Sequence, residues 1–311
     1  MPMTLADRVT FGFQAQFGSP DATRRLVDIA ERFGYGAIAL GDHLSFAVPI
    51  HDPLIQMAAA AALTRKVTLL TAVYLLPLRH PAAVAKQLAT LDHLSEGRLI
   101  FGVGIGGEFA SDYGAVGVPI KERGARLSES IQVLRSLWTG EKVSHDGRFY
   151  SFADIQMLPR PIQPGGPPIW VGGRSDAALR RAGELGDGYI SYVVTPDMYR
   201  IAMEKIAAAA NHRTLQRFGT AHVLFVRLGK SRDDALHHAT KHLSIRYAMD
   251  FRKAADRYCA LGRPEDVAAL LRQFHAAGVR YFVLDMIGEP HEQDAQLKAF
   301  AVEVMPLVAD L

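Results

Sequence analysis

Cysteine is almost absent: Cys259 stands alone in a chain of 311 residues. One thiol excludes an intrachain disulfide framework and fits a reducing compartment. No apolar run reaches the roughly 18 to 20 residues needed to span a bilayer, so no membrane partner is expected. The start, MPMTLADRVTFGF, shows no basic segment followed by a long apolar stretch. No secretory signal is read there, and the expected location is cytoplasmic. Runs of like charge are also missing. Lys and Arg number 35 against 32 Asp and Glu, and no basic run is longer than the pairs Arg24-Arg25 or Arg180-Arg181. A nucleic-acid surface requires a clustered basic patch with interleaved aromatics, so nucleic acid is not an expected partner. A metal centre lacks support as well. His238 and His242 share a helix face, but Ala239 replaces the glutamate of H-E-x-x-H and no third ligand is in view.

What is present is apolar patterning. Hydrophobic residues make up 49% and charged residues 22%, enough to bury a large core. Short apolar runs alternate with amphipathic segments: VTFGFQ, GAIALG, VTLLTAVYLL, RLIFGV, PIWVGG, DGYISYV, HVLFVRL and VRYFVLDM. Each is followed by at least one segment of helical period, the first opened by Ser19-Pro20 and closed by Gly34. A long helical region is expected from Arg232 to about Tyr258. Strand–helix alternation implies a parallel sheet, and eight repeats imply closure into a (β/α)8 barrel. The reading is one domain over residues 1–311. Its rhythm is broken by an insertion at about 139–168, before the fifth strand, where Asp146-Gly147 marks a two-residue hairpin turn.

In such a barrel the chemistry lies at the carboxyl ends of the strands. FGVGIGG, residues 101–107, contains the G-x-G-x-x-G spacing of a dinucleotide-binding turn. That motif requires a helix opening directly on it. Gly114, Gly117 and Pro119 interrupt helical period in the next residues, so the dinucleotide reading is rejected. The connection at 104–120 is about seventeen residues, long for its kind, and places Glu108, Phe109 and Tyr113 where they can shape a pocket. It also reads as a glycine-rich surface loop. After the second strand, GDHLSF offers Asp42 and His43 as an acid–base pair. Neighbours on a strand point to opposite faces, so the two need not bond each other. Asp42 equally reads as a turn cap, and His43 as one of twelve histidines. After the fifth strand, Gly172, Gly173, Arg174 and Ser175 run into a helix start. Its free backbone N–H groups favour a phosphate, although Ser175 also reads as an ordinary cap. Phe46, Phe109, Tyr113 and Tyr192 suggest an apolar, partly aromatic pocket for a small-molecule substrate, or loop packing.

Taken together, LGDHLSF, TAVYLLPLRHPAAVAKQLATLDHLSEGRLIFGVGIGG, ERGARLSESIQVLRSLWTG, GRFYSF, PRPIQP, PIWVGGRSDAALRRAGELGDGYI and GRPEDVAALLRQFHAAGVRYFVLDM resemble the bacterial luciferase-like flavin oxidoreductases. The resemblance covers most of residues 9–287 and implies FMN, or the deazaflavin coenzyme F420, across the barrel mouth. His43 would sit near the ring or substrate, and Asp42 and Glu108 stand beside it as catalytic candidates from the reading of the loops themselves. Ala72, Val73 and Tyr74 would pack behind the ring, where the family often has a non-proline cis peptide. Gly102, Gly104 and Gly106 would give the ring and its chain room, and Gly172, Gly173, Arg174 and Ser175 would take the phosphate. Where some relatives hold the phosphate with an arginine, this chain has Ile105. Where sugar-phosphate deazaflavin dehydrogenases carry an aromatic, it has Ala47. The favoured reading is a monooxygenase using O2 and reduced FMN delivered by a separate flavin reductase. The alternatives are F420-dependent hydride transfer and a non-catalytic flavin-binding protein. The resemblance also favours a homodimer.

Overall fold

In the computed structural model, which describes residues 3–107, 109–211 and 213–311, alternation of strand and helix carries through the chain. The strands are β1 (Thr10–Gln14), β2 (Ala37–Leu40), β3 (Thr68–Thr71), β4 (Leu99–Val103), β5 (Lys142–Asp146), β6 (Ser151–Gln156), β7 (Ile169–Gly172), β8 (Gly188–Tyr192), β9 (Gly219–Leu228), β10 (Ala260–Gly262) and β11 (Tyr281–Met286). The helices are α1 (Pro20–Arg32), α2 (Pro53–Ala61), α3 (Pro81–Leu94), α4 (Ala110–Ala115), α5 (Arg123–Trp138), α6 (Asp176–Leu185), α7 (Pro196–Ala209), α8 (Arg232–Tyr247), α9 (Arg252–Tyr258), α10 (Pro264–Ala276) and α11 (Pro290–Ala299). Strands β1, β2, β3, β4, β7, β8, β9 and β11 pair in that order, all parallel, and β11 returns to β1. This is the closed eight-stranded barrel with surrounding helices that the alternation implies. Among the described residues, no helix is long and apolar enough to cross a membrane.

Side chains alternate across the barrel wall. Ala39, Leu70, Ile100, Ile190, Ala221, Val223 and Val283 point inward and pack on one another. Trp170 fills the lower end, edge-on to Tyr281 with ring centroids 5.1 Å apart. Its indole lies over Gly188 and Gly219, where an added Cβ would come within 2.4 and 2.1 Å of it. Outward residues such as Phe101, Leu224 and Phe282 meet the helices in the main core.

Local capping sets where helices begin. Ser19 accepts from Ala22 N ahead of α1, and Thr195 from Met198 N ahead of α7, each with proline in the first turn. His80, adjacent to Arg79 at the end of the third-strand segment, is spent in the same way: its ring accepts from Ala82 N at the start of α3.

Four details depart from the sequence reading. The connection at 104–120 contains the short helix α4 and a 3-10 turn at Ile120–Glu122, since glycine weakens but does not forbid a single helical turn. The long helix expected from Arg232 breaks after Tyr247. Ala248 takes a left-handed conformation (φ 52), Ser244 Oγ accepts from Phe251 N, and Asp250 accepts from Arg252 N. The hairpin of β5 and β6 forms, but its two-residue tip is Arg148-Phe149 and not Asp146-Gly147, since Gly147 N donates to Tyr150 O at 3.0 Å. Glu129 on α5 reaches out and accepts from Phe149 N and Tyr150 N, which holds the tip. The three-residue β10, too short to read as a strand, pairs with the upper end of the long β9.

Candidate functional site

A cavity of about 320 Å³ opens at the carboxyl ends of the barrel strands. Its lining gathers Asp42, His43, Ala72, Val73, Gly104, Gly106, Gly172 and Gly173 from four separate strand ends. It does not include Tyr74, Gly102, Arg174 or Ser175. Glu108 lies outside the described residues.

The floor is built around one side chain. The Ala72–Val73 peptide is cis, and pairing with β4 resumes at Tyr74, whose N–H donates to Gly102 O. Val73 thereby projects across the top of the barrel. A Cβ on Gly104 would lie 2.5 Å from its Cγ2, and one on Gly172 would lie 2.9 Å from its Cγ1. Glycine at these two positions makes room for Val73, whose side chain gives the cavity an apolar floor. Gly102 lies a layer lower, where an added Cβ would meet Thr71 O at 1.9 Å. Tyr74 is buried behind the floor, between Phe101 and the Arg79 guanidinium.

His43 and Asp42 part ways as strand neighbours should. Asp42 is buried, and both its oxygens are engaged: Arg79 holds them bidentately, and Leu75 N donates to Oδ2 at 2.8 Å. It ties the end of β2 to the segment after β3. His43 instead turns to Asp112 on α4, with Nδ1 and Oδ2 2.8 Å apart. Asp112 is fully buried, and its Oδ1 accepts from Leu44 N at 2.8 Å and Ser45 N at 2.7 Å. A carboxylate only accepts, so Nδ1 is the donor in this pair, and Nε2 is the ring nitrogen that Asp112 leaves unengaged. The His43 side chain is 19% exposed. Phe46 stacks on its ring at 4.4 Å, and Phe109 meets both rings edge-on. Asp112 was missed in the sequence because α4 was missed. The residue types at 109–113 carried no motif.

The remaining walls come from β8, β9, β11, α8 and α11: Ile190, Tyr192, Phe225, Arg246, Asp285 and Gln293 among them. Tyr113 sits behind Ile105, whose carbonyl accepts its hydroxyl. Gly173, in the lining, has φ +136, and beside the cavity Ser175 caps α6, accepting from Ala178 N at 3.3 Å. Arg174 is exposed, donates to Val193 O at 3.2 Å and lies over the Tyr192 ring. Arg123 at the head of α5 lies against Gly107, where an added Cβ would be 3.2 Å from its Nε. That Nε is buried without a partner among the described residues. The described residues offer no cluster of three metal-ligating side chains. His238 faces Asp234 and His242 faces Glu289, each at 3.8 Å.

Comparison with known proteins agrees with this architecture. The family model described as luciferase-like monooxygenase matches residues 5–301. A protein of Nakamurella multipartita, named F420-dependent glucose-6-phosphate dehydrogenase, is 28% identical across 96% of this chain and 96% of its own. Among solved structures, the monooxygenase RslO1 from Streptomyces bottropensis superposes with a TM-score of 0.82 at 24% identity, covering 96% of this chain and 99% of that one. An F420-dependent secondary alcohol dehydrogenase superposes with a TM-score of 0.83 at 19% identity, covering 97% and 99%. At these identities the two structures speak for the fold. The match to the family model over nearly the whole chain identifies this protein as a member of the luciferase-like monooxygenase family of oxidoreductases.

Proposed function

We propose that this chain is an F420-dependent oxidoreductase that interconverts an alcohol and a carbonyl compound. The observation that carries the reading is the His43–Asp112 pair, a histidine of the cavity lining with one nitrogen committed to a buried carboxylate and the other left unengaged by it. Interconverting an alcohol and a carbonyl moves one proton together with a hydride, and a positioned imidazole serves that proton transfer. The full-length relative named as F420-dependent supports the same coenzyme. This reading takes precedence over oxygen chemistry with reduced FMN, for which a fixed proton acceptor is less needed.

The residues fit a flat ring bearing a phosphate tail. The Val73 floor, given room by Gly104 and Gly172, would take the ring. The α6 N-terminus with Ser175, together with Arg174 and the unpartnered Nε of Arg123, would take the phosphate. When bound, F420 supplies a hydride acceptor or donor. His43 Nε2 takes the hydroxyl proton as an alcohol is oxidised and returns it when a carbonyl is reduced. Asp112 orients the ring and stabilises the imidazolium. Phe46 and Phe109 pack around the imidazole and keep water from it.

The reading is tested by titrating the purified protein with F420, FMN and reduced FMN, followed by fluorescence. Tightest binding of F420, with reduction of the bound coenzyme by alcohols, is expected. Exclusive preference for reduced FMN overturns it.

A further inference from the structure

Resting on that reading, we infer that the substrate is an uncharged, multiply oxygenated molecule, and that the cavity rejects phosphorylated ones. Among the described residues lining the cavity, Arg246 is the only lysine or arginine. Its charge is already matched: Nη1 donates to Asp285 Oδ2 at 2.7 Å. The two side chains are largely enclosed, 24% and 13% exposed, and the guanidinium lies over the Phe225 ring. Attraction to Asp285 raises the Arg246 pKa against the opposing effect of burial, so the guanidinium keeps its charge beside that carboxyl group.

The placement of the pair is set by two features of the fold. Asp285 is the uppermost inward residue of β11, two above Val283 in the barrel interior. Arg246 is delivered by the last turn of α8, which ends one residue later at Tyr247, just before the left-handed Ala248. Around the barrel, β11 lies next to β1, and β1 next to β2. Asp285, Gln14 and His43 therefore follow one another along one side of the cavity. Gln14 Oε1 is buried and without a partner among the described residues.

This wall has a definite complement. Arg246 and Asp285 spend one N–H and one carboxylate oxygen on each other, and the Tyr247 side chain engages the guanidinium as well. A guanidinium has five N–H groups and a carboxylate about four acceptor positions, so the pair can both donate and accept. The unpartnered Gln14 oxygen accepts only. Hydroxyl groups near the reacting carbon satisfy all three, donating to Gln14 and Asp285 and accepting from Arg246, whereas a carbonyl oxygen serves Arg246 alone. A phosphate would find Arg246 only with the Asp285 carboxylate beside it, a like charge in a poorly solvated cavity. The apolar faces of Phe46, Phe109 and Phe225 suit an uncharged carbon frame. The chain thus parts from its glucose-6-phosphate-oxidising relative in substrate charge.

Two measurements test this. Inorganic phosphate is titrated by calorimetry into the wild type, Arg246→Gln, Asp285→Asn and the double variant. Wild type and Arg246→Gln should bind phosphate alike, with Asp285→Asn alone gaining a site that disappears in the double variant. A wild-type phosphate site lost in Arg246→Gln, or no gain in Asp285→Asn, overturns the inference. Should Asp285→Asn fail to fold, wild type against Arg246→Gln still decides. In the second measurement the wild type with F420 is offered sugars and polyols beside their phosphate monoesters. kcat/KM should favour the uncharged member by about tenfold or more. Preference for the phosphorylated member, with hydride transfer intact, overturns the inference and leaves the proposed function standing. Failure to reduce F420 with any substrate counts against the proposed function instead, and the phosphate titration then decides the inference alone.

Discussion

His43 Nδ1 and Asp112 Oδ2 stand 2.8 Å apart, joining the end of β2 to a short helix in the connection after β4. The bond fixes which imidazole nitrogen is left unengaged. His43→Ala is therefore expected to lower kcat by about two to four orders of magnitude, the usual range for a lost acid–base group, with coenzyme binding nearly unchanged. Asp112→Asn keeps the shape but not the charge, and is expected to lower kcat by about tenfold or more. Stopped-flow single turnovers measure both. Full activity in His43→Ala removes the proposed acid–base role.

His222 gives the fold a defined acid sensitivity. It is buried outside the barrel wall, its Nδ1 2.8 Å from Ser191 Oγ and its ring stacked on Phe274 at 4.2 Å. Nε2 has no partner among the described residues. Burial pushes its pKa down from 6.5 to about 3. Its contribution to stability is therefore present above pH 6.5 and lost as pH falls toward 3. In that window the unfolded chain holds the extra proton, so stability rises with pH by up to about 1.4 kcal/mol per unit from this group. Urea unfolding between pH 4 and 7 should show a smaller slope in His222→Gln, whatever the change in absolute stability. An unchanged slope places the acid sensitivity elsewhere.

Gly102 and Gly114 should respond oppositely to alanine. At Gly102 the new Cβ would meet the Thr71 carbonyl oxygen at 1.9 Å, whereas at Gly114 on α4 nothing lies within 4 Å. Gly102→Ala is expected to cost about 3 kcal/mol or more, beyond ordinary overpacking because backbone has to move. Gly114→Ala should gain up to about 1 kcal/mol from helix propensity. Denaturant midpoints compare them, and a Gly102→Ala protein as stable as wild type contradicts the packing of β3 on β4.

Ser175 and Arg174 separate capping from coenzyme binding. Ser175→Ala removes the α6 cap and should cost about 1 kcal/mol of stability. Arg174, exposed and bonded to Val193 O, should change stability by less than about 0.5 kcal/mol when replaced by alanine. Coenzyme affinity should fall in both, by about tenfold for Arg174→Ala. Unchanged affinity in Arg174→Ala moves the phosphate away from α6.

The barrel was legible because each strand is a short apolar run followed by helical period, and closure needs only eight of them. Strand-end glycines were legible as close approaches, but not what approaches them: Gly104 and Gly172 make room for Val73, a contact between strands that no local pattern encodes. His43 stood out by position. Its partner Asp112 did not, because 68 residues separate Leu44 from Asp112 and the helix presenting it is six residues long. Nothing local marks Arg79, and its pairing with Asp42 depends on the fold alone. Arg246 and Asp285 belong to the same class. Each looks like an ordinary surface charge until α8 breaks and β11 closes the barrel.

One measurement bears on coenzyme and chemistry together: turnover of uncharged secondary alcohols by the protein supplied with F420, with oxygen rigorously removed. F420 should be reduced in step with alcohol consumed, at the same rate with and without air, and the rate should collapse in His43→Ala. Product that forms only with reduced FMN and oxygen, and none under anaerobic F420 conditions, would contradict hydride transfer.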